Sequence, residues 1–254
     1  MTTNPTFLLV HGSWHDGTSW SAVARHLRAA GCAALTPTLA GHSRGEDLRH
    51  VTHDDYVASV LDALDGAAEP VILVGHSFGG SVISRVAEMR PRGIELLVYY
   101  SAFVPRDGER VADSLPEPMV GFLDEAAAAS ADGSVALPRD LFATAFANTA
   151  DDATVDAIYP RLVREPHRPI FEQVPLSNFH RLDIPSAYIT CRQDLALPPG
   201  SFHPGQSSRL TAPKLVEIDA DHEALYTAPR RLAWALLEAV GANGAERQRE
   251  LDAA

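Results

Sequence analysis

Residues 71–80 read Val71-Ile72-Leu73-Val74-Gly75-His76-Ser77-Phe78-Gly79-Gly80, followed by a segment of helical periodicity that runs to Met89 and stops before Pro91. The unbroken apolar run predicts a buried strand over 71–74, and the periodicity predicts a helix over 79–89. Between them lies G-x-S-x-G, in the strand-before, helix-after setting that makes so short a pattern informative. The turn between such a strand and helix is tight, so a Cβ at Gly75 or Gly79 is expected to collide with neighbouring backbone. The same turn lifts the Ser77 hydroxyl clear of the sheet and aims a helix N-terminus at negative charge developing beside it.

Outward from this stretch, short apolar runs alternate with helix-period segments, the pattern of a parallel sheet covered by helices. Strands are expected at 7–10, 33–36, 96–100, 186–191 and 214–218, and helices at 19–29, 54–64 and 229–240. Between about Asp107 and Asp183 no strand is expected. Pro-rich stretches there separate short helical pieces at 121–130, 140–147 and 153–163, which reads as an inserted helical cap. Helical potential also runs through the Pro/Gly-rich connection as far as Leu210, and the Ala-rich tail from Gly241 is expected to fray. The fold class expected is therefore α/β: a mostly parallel central sheet with flanking helices, built from residues 1–106 and 184–254, with the cap over 107–183.

Composition narrows the function. In 254 residues, 21 Lys+Arg stand against 33 Asp+Glu, a formal charge of −12. Such a chain repels phosphate backbones and anionic lipid, so neither nucleic acid nor a membrane surface is an expected partner. The two cysteines, Cys32 and Cys191, have no metal-ligand spacing and read as buried thiols in a reducing compartment. The polar start runs straight into a strand, and no apolar run reaches the ~20 residues of a membrane span. A cytoplasmic location is expected; homodimeric assembly is left open.

A serine hydroxyl is a poor nucleophile until a base takes its proton, and the base needs an acid to orient it. In the chain order Ser, Asp, His, the candidates are Asp194, shortly after the apolar run 187–191, and His222, just past 214–218. Asp221 adjoins the base and is expected to point elsewhere, and Asp219 reads as a turn residue. Acyl transfer also needs backbone donors for an oxyanion. The amide of Phe78, after the nucleophile, supplies one, and that of Ser13 in His11-Gly12-Ser13-Trp14 supplies the other. No residue pattern calls for a metal or a cofactor. Asp54-Asp55 and Asp151-Asp152 read as helix caps and first-turn acids.

The stretches LLVHGSWHDGTSW, VILVGHSFGG, YITCRQDLALPP and VEIDADHEAL resemble the α/β-hydrolase family. Within it they are most similar to the compact branch of plant methyl esterases, hydroxynitrile lyases and their bacterial esterase relatives; the cap aligns poorly. The resemblance implies an α/β-hydrolase fold, Ser77 as nucleophile, His222 as base, Asp194 as orienting acid, Ser13 and Phe78 as oxyanion donors, and a small-molecule ester as substrate. The lyases of this branch carry Thr after the first His of the HG motif and Lys after the catalytic His. Here those positions are Gly12 and Glu223, and a carboxylate at 223 is expected to oppose a departing cyanide.

Candidates for the substrate pocket are Gly12, Trp14, His15, Phe103, Phe122, Phe142, Phe146 and His180, while His76 reads as packing below Ser77. The expectation is a cofactor-independent serine hydrolase of the carboxylesterase type, acting on a small, largely apolar ester. The alternatives are a lyase, a cofactor-free oxygenase or a tailoring cyclase using the same triad, and a non-catalytic receptor.

Overall fold

A computed structural model describes residues 5–43, 45 and 47–241. The strands along this chain are β1 (Thr6–Val10), β2 (Ala33–Leu35), β3 (Val71–His76), β4 (Ile94–Tyr100), β5 (Ser134–Val135), β6 (Glu165–Pro166), β7 (Ser186–Cys191) and β8 (Lys214–Ile218). Six of them form a parallel sheet in the order β2-β1-β3-β4-β7-β8. β1 and β3 are buried along their whole length, which is why they read as continuous apolar runs: helices cover both faces of the sheet. Phe7 and Leu9 face one apolar cluster, which includes residues of α1 (Ser21–Ala29) and of the helix Pro229–Ala239. Leu8 and Val10 face the other, shared with α2 (His53–Asp65) and α3 (Gly79–Met89).

The strand order reverses between β1 and β3. Their register sets Val10 opposite Gly75, so the loops after the two strands emerge side by side at the carboxyl edge, where open α/β sheets hold their ligands.

Sequence expectation and structure differ chiefly in boundaries. A 3-10 turn, Gly17–Trp20, precedes α1. α2 is capped by Thr52, whose side chain accepts the Asp55 amide while the Asp55 carboxylate accepts the Thr52 amide. Asp54 and Asp55 are thus first-turn acids, as read, and Asp151 caps the helix Asp152–Ile158. The helical potential before Leu210 yields only the 3-10 turn Ser207–Arg209, since Pro198, Pro199 and Pro204 leave no uninterrupted stretch of amide donors. Beyond residue 241 the tail lies outside the described residues.

The cap departs further from expectation. α4 (Glu117–Ala129) begins earlier than the periodicity suggested, and Phe142–Phe146 winds as a π-helix. β5 and β6 pair as an antiparallel ribbon where no strand was expected, because strands of two residues carry no period to read. Buried cap residues such as Leu123, Phe142 and Ile170 belong to the same apolar cluster as Leu8, Tyr56 and Val82. The cap and the sheet therefore share one core.

Candidate active site

Ser77 closes the turn between β3 and α3 with φ +51, a left-handed conformation that a non-glycine residue keeps only where its neighbours over-determine it. Its N–H donates to the Tyr100 carbonyl at 3.1 Å, and its carbonyl accepts from the Gly80 and Phe103 amides, both at 3.1 Å. Space is equally constrained. A Cβ on Gly75 would lie 2.6 Å from the Gly79 carbonyl oxygen, and one on Gly12 would lie 2.8 Å from Ser77 Cβ. Gly12 is thus required for the close approach of the β1 loop to Ser77 and has no part in lining the cavity.

The loops after β7 and β8 bring the next two candidates together. The Arg192 and Gln193 amides donate to the Ile218 and Ala220 carbonyls, which carries the end of one strand alongside the other. His222 Nδ1 lies 2.8 Å from Asp194 Oδ2, and both residues are about 1% exposed. Asp194 Oδ1 accepts the Leu197 amide at 2.8 Å, and Tyr100 Oη donates to the His222 carbonyl at 2.5 Å. With a carboxylate on Nδ1, the neutral ring carries its proton there and offers the Nε2 lone pair. Burial lowers the imidazole pKa, but the Asp194 carboxylate, with Glu223 and Asp221 behind it, more than offsets this, and the net shift is upward from the ordinary 6.5.

Ser77 and His222 line one cavity of about 50 Å³, together with Ser13, Trp14, Phe78, Phe103 and Phe146. Among the described residues no carboxylate, lysine or arginine lines it; the rest of its wall is aliphatic or thioether, contributed by α4, the 3-10 turn Val111–Ser114 with Leu115 after it, Ile170 of the short helix Arg168–Phe171, and the loop after Asp194. Among the described residues, neither the Ser13 amide nor the Phe78 amide donates to another group of the chain. Free backbone donors beside a serine and an imidazole are groups of the kind from which a tetrahedral oxyanion accepts.

Five of the expected pocket residues lie elsewhere. Gly12 serves the close approach described above. His15 is turned away: its Nδ1–H donates to the Ser13 carbonyl at 2.7 Å and its Nε2 faces Glu223 Oε2 at 3.1 Å. α4 presents Met119 and Leu123 to the cavity, and Phe122 falls about 100° away from Leu123 around the helix axis. Phe142 is fully buried and packs against Tyr159 with ring centroids 6.0 Å apart. His180 lies in a different depression with Leu97, Phe179 and Leu210.

Glu223 also behaves differently from its position in sequence. Although it follows His222, its carboxylate is buried against His15 and does not enter the cavity. Burial disfavours the charged His15 ring, but Glu223 holds its pKa above the ordinary value. His76 packs as an aromatic plate, 4.5 Å from Tyr100 and 4.7 Å from His222, with its pKa driven well down by burial. Cys32 and Cys191 are buried and form no disulfide.

Two further buried acids, Asp221 and Glu165, hold loops beside the cavity. Asp221 does point away from the base: it accepts from the Thr149 amide and hydroxyl, the Thr227 hydroxyl and the Glu223 amide. This ties the cap to the loop bearing His222. Glu165 of β6 was not singled out, and no local signal marks it; it is fully buried against Trp14, His42 and Tyr56. Among the described residues, no group of three or more His, Cys, Asp or Glu side chains is arranged to hold a metal ion. No helix among them is long and apolar enough to cross a membrane.

A model of the alpha/beta hydrolase family matches residues 7–236. Salicylic acid-binding protein 2 of Nicotiana tabacum is 29% identical over 255 residues, covering 91% of this chain and 95% of its own length. The carbendazim hydrolyzing esterase of Nocardioides sp. (strain SG-4G) is 42% identical over 116 residues; that match spans 44% of this chain and 47% of the esterase, about half of each. Among solved structures, one is an extracellular alpha/beta-hydrolase from a Paenibacillus species described as sharing structural and functional homology with tobacco salicylic acid binding protein 2. It superposes with a TM-score of 0.88 at 37% identity, over 92% of this chain and 98% of that one. A pyrethroid hydrolase from Sphingobium faniae JZ-2 gives 0.76 at 25% identity, over 96% and 100%.

Proposed function

This chain belongs to the alpha/beta hydrolase family, and from that premise we propose that it is a cofactor-independent serine hydrolase of the carboxylesterase type. It cleaves a small, largely apolar ester through Ser77, His222 and Asp194. The observation that carries this reading is the buried 2.8 Å contact between His222 and Asp194, with His222 and Ser77 facing the same apolar cavity.

In the first half-reaction Ser77 Oγ attacks the ester carbonyl carbon as His222 Nε2 takes its proton. The carbonyl oxygen becomes an oxyanion and accepts from the Ser13 and Phe78 amides. The C–O bond to the alcohol then breaks, the alcohol oxygen takes the proton from His222, and an acyl group remains on Ser77. Water repeats the sequence: His222 removes its proton, the hydroxyl adds to the acyl carbon, and collapse returns the proton to Ser77 Oγ and releases the acid. Asp194 keeps the imidazole in the tautomer that presents Nε2, and it stabilises the imidazolium that forms twice per turnover.

Hydrolysis is preferred to cyanohydrin cleavage because the cavity offers backbone donors suited to a tetrahedral oxyanion and no cation for a departing cyanide. The Glu223 carboxylate, turned to His15, plays no direct part in that choice. The relatives named as esterases and hydrolases favour the same reaction class. A reducing, cytoplasmic compartment suits two buried cysteines that form no disulfide, and cell fractionation tests it.

The experiment is a panel of p-nitrophenyl and methyl esters of graded acyl length, assayed with the wild type and Ser77→Ala, beside fluorophosphonate labelling. Ser77-dependent cleavage of activated esters without added cofactor is expected. Cyanide release from mandelonitrile that depends on Ser77, with no ester cleavage, would overturn the assignment.

A further inference from the structure

The turn that carries the Ser13 amide is fixed from the cap, across the cavity from the sheet. Trp14 stands at φ +62, a left-handed conformation that a tryptophan abandons unless its surroundings hold it there. Each of its three polar groups is bonded to the cap. The Trp14 amide donates to Glu165 Oε2 at 2.9 Å, its carbonyl accepts from the Val163 amide at 2.9 Å, and its indole N–H donates to the Val135 carbonyl at 3.1 Å. Two of these partners are backbone groups; Glu165 is the only side chain among them. Its carboxylate is fully buried and also takes His42 Nε2 at 2.9 Å and the Tyr56 hydroxyl at 3.1 Å. Both oxygens are thus engaged and oriented.

Ser13 and Trp14 are consecutive, so a bond that holds the Trp14 amide in place also fixes the peptide plane next to the Ser13 amide. With the Trp14 amide taken by Glu165, the Ser13 amide is the one left free beside Ser77. We infer that Glu165, a cap residue outside the triad, is the positioning residue of the oxyanion hole, because its bond to the Trp14 amide holds the turn that aims the Ser13 N–H at the reacting carbonyl oxygen. The inference rests on the hydrolase reading above and deepens it. In this molecule the cap does more than shape the cavity: it completes the machinery of the core.

A group that orders an oxyanion donor acts in the transition state, where the oxyanion exists, and hardly at all on the bound ester. Glu165→Met keeps the length of the side chain and removes both acceptors, and it should lower kcat about 100-fold with KM within about threefold, since misplacing one donor costs about as much as losing it. Affinity for phenylboronic acid, a tetrahedral adduct former, should fall in parallel. Glu165→Gln can turn its amide oxygen to the Trp14 N–H, and it should recover to within about fivefold of wild type. Tyr56→Phe removes a different donor from the same carboxylate. It should lower the melting temperature and leave kcat within about twofold, which separates positioning from mere packing.

Amide exchange followed by NMR reads the same turn without turnover. In the wild type the Trp14 amide should be protected, and phenylboronic acid should slow exchange at Ser13 and Phe78 while leaving Trp14 unchanged; in Glu165→Met the Trp14 protection should be lost. An unprotected Trp14 amide in the wild type would overturn the inference, as would wild-type kcat and boronate affinity in Glu165→Met, or equal losses of kcat in Glu165→Met and Tyr56→Phe. Failure of the hydrolase reading would show separately, as wild-type protein without Ser77-dependent turnover. Trp14 exchange compared between the wild type and Glu165→Met would then still decide whether the carboxylate governs the turn.

Discussion

Ser77 and His222 meet at one cavity from loops far apart in sequence, and the chemistry proposed for them is all-or-none. Removing either should lower ester turnover by about 10⁴-fold, with near-equal losses, because each is useless without the other. Retention of a tenth of the activity by Ser77→Ala would exclude it as nucleophile. The two neighbouring acids should separate cleanly. Asp194→Asn should cost about 10³ to 10⁴ in kcat, since an amide at Nδ1 favours the wrong tautomer. Asp221→Asn weakens the bonds to Thr149 and Thr227 and should show mainly as a lower melting temperature. The pH profile carries the same assignment. His222 must be neutral to act as base, and its pKa lies above the ordinary 6.5. The acid limb of kcat/KM should therefore fall off above that value. In Asp194→Asn the limb should move to lower pH, because burial then acts with its main opposing charge removed.

At the scale of the element, the cap assigns different work to two phenylalanines that the sequence grouped together. Phe146 packs edge-on against both Trp14 and His222, with ring centroids 5.7 and 5.3 Å apart, and it lines the cavity. Phe146→Ala should change relative kcat/KM across the ester panel by about 10-fold, as expected for an apolar contact worth 1–3 kcal/mol. Phe142 is buried against Tyr159, so Phe142→Ala should instead cost about 3–5 kcal/mol of stability and leave the order of preferred esters intact. Denaturant titration beside the ester panel distinguishes the two. Helical spacing alone could not, since residues i and i+4 lie on nearly the same face of an α-helix, while this segment is wound as a π-helix and is buried on more than one side.

The whole molecule holds several histidines in its interior, and they make stability depend on pH in a definite direction. His11, His53 and His76 are buried with pKa values below the ordinary 6.5, burial being the leading cause in each, and that of His53 lies at about 4. Below pH 6.5 the unfolded chain takes up protons that the native state refuses, so the stability present above that pH is lost as pH falls toward the folded values. His15 and His222 run the other way: their raised pKa values contribute stability below 6.5 that is lost as pH rises through their folded values. The depressed group is the larger, so the melting temperature should drop between about pH 6.5 and 4. His53→Gln should flatten part of that slope. A melting temperature constant over this range would contradict the burial of these rings as neutral species.

The sheet, the elbow and the candidates proposed for the reacting side chains were all legible in the order of residues along the chain. Apolar runs of four to six residues, rich in Val, Ile and Leu and alternating with helix-period segments, point to buried parallel strands, and a serine between Gly75 and Gly79 at the start of a helix leaves little choice of turn. Strand ends then select Asp194 and His222, because in this topology the loops after β7 and β8 both open at the edge where Ser77 stands. Placements that depend on the direction of a side chain came only from the folded chain. His15 and Glu223 look like pocket residues along the chain but spend their side chains on each other. Gly12 clears space for Ser77, and His180 lies in another depression. The helix that seemed to offer Phe122 turns Leu123 inward. Glu165 sits in a two-residue strand with no periodicity, and it reaches Trp14 across 151 residues of sequence. Local patterns encode which backbone conformation is cheapest, whereas the partner of a buried carboxylate is fixed by packing of segments remote in the chain.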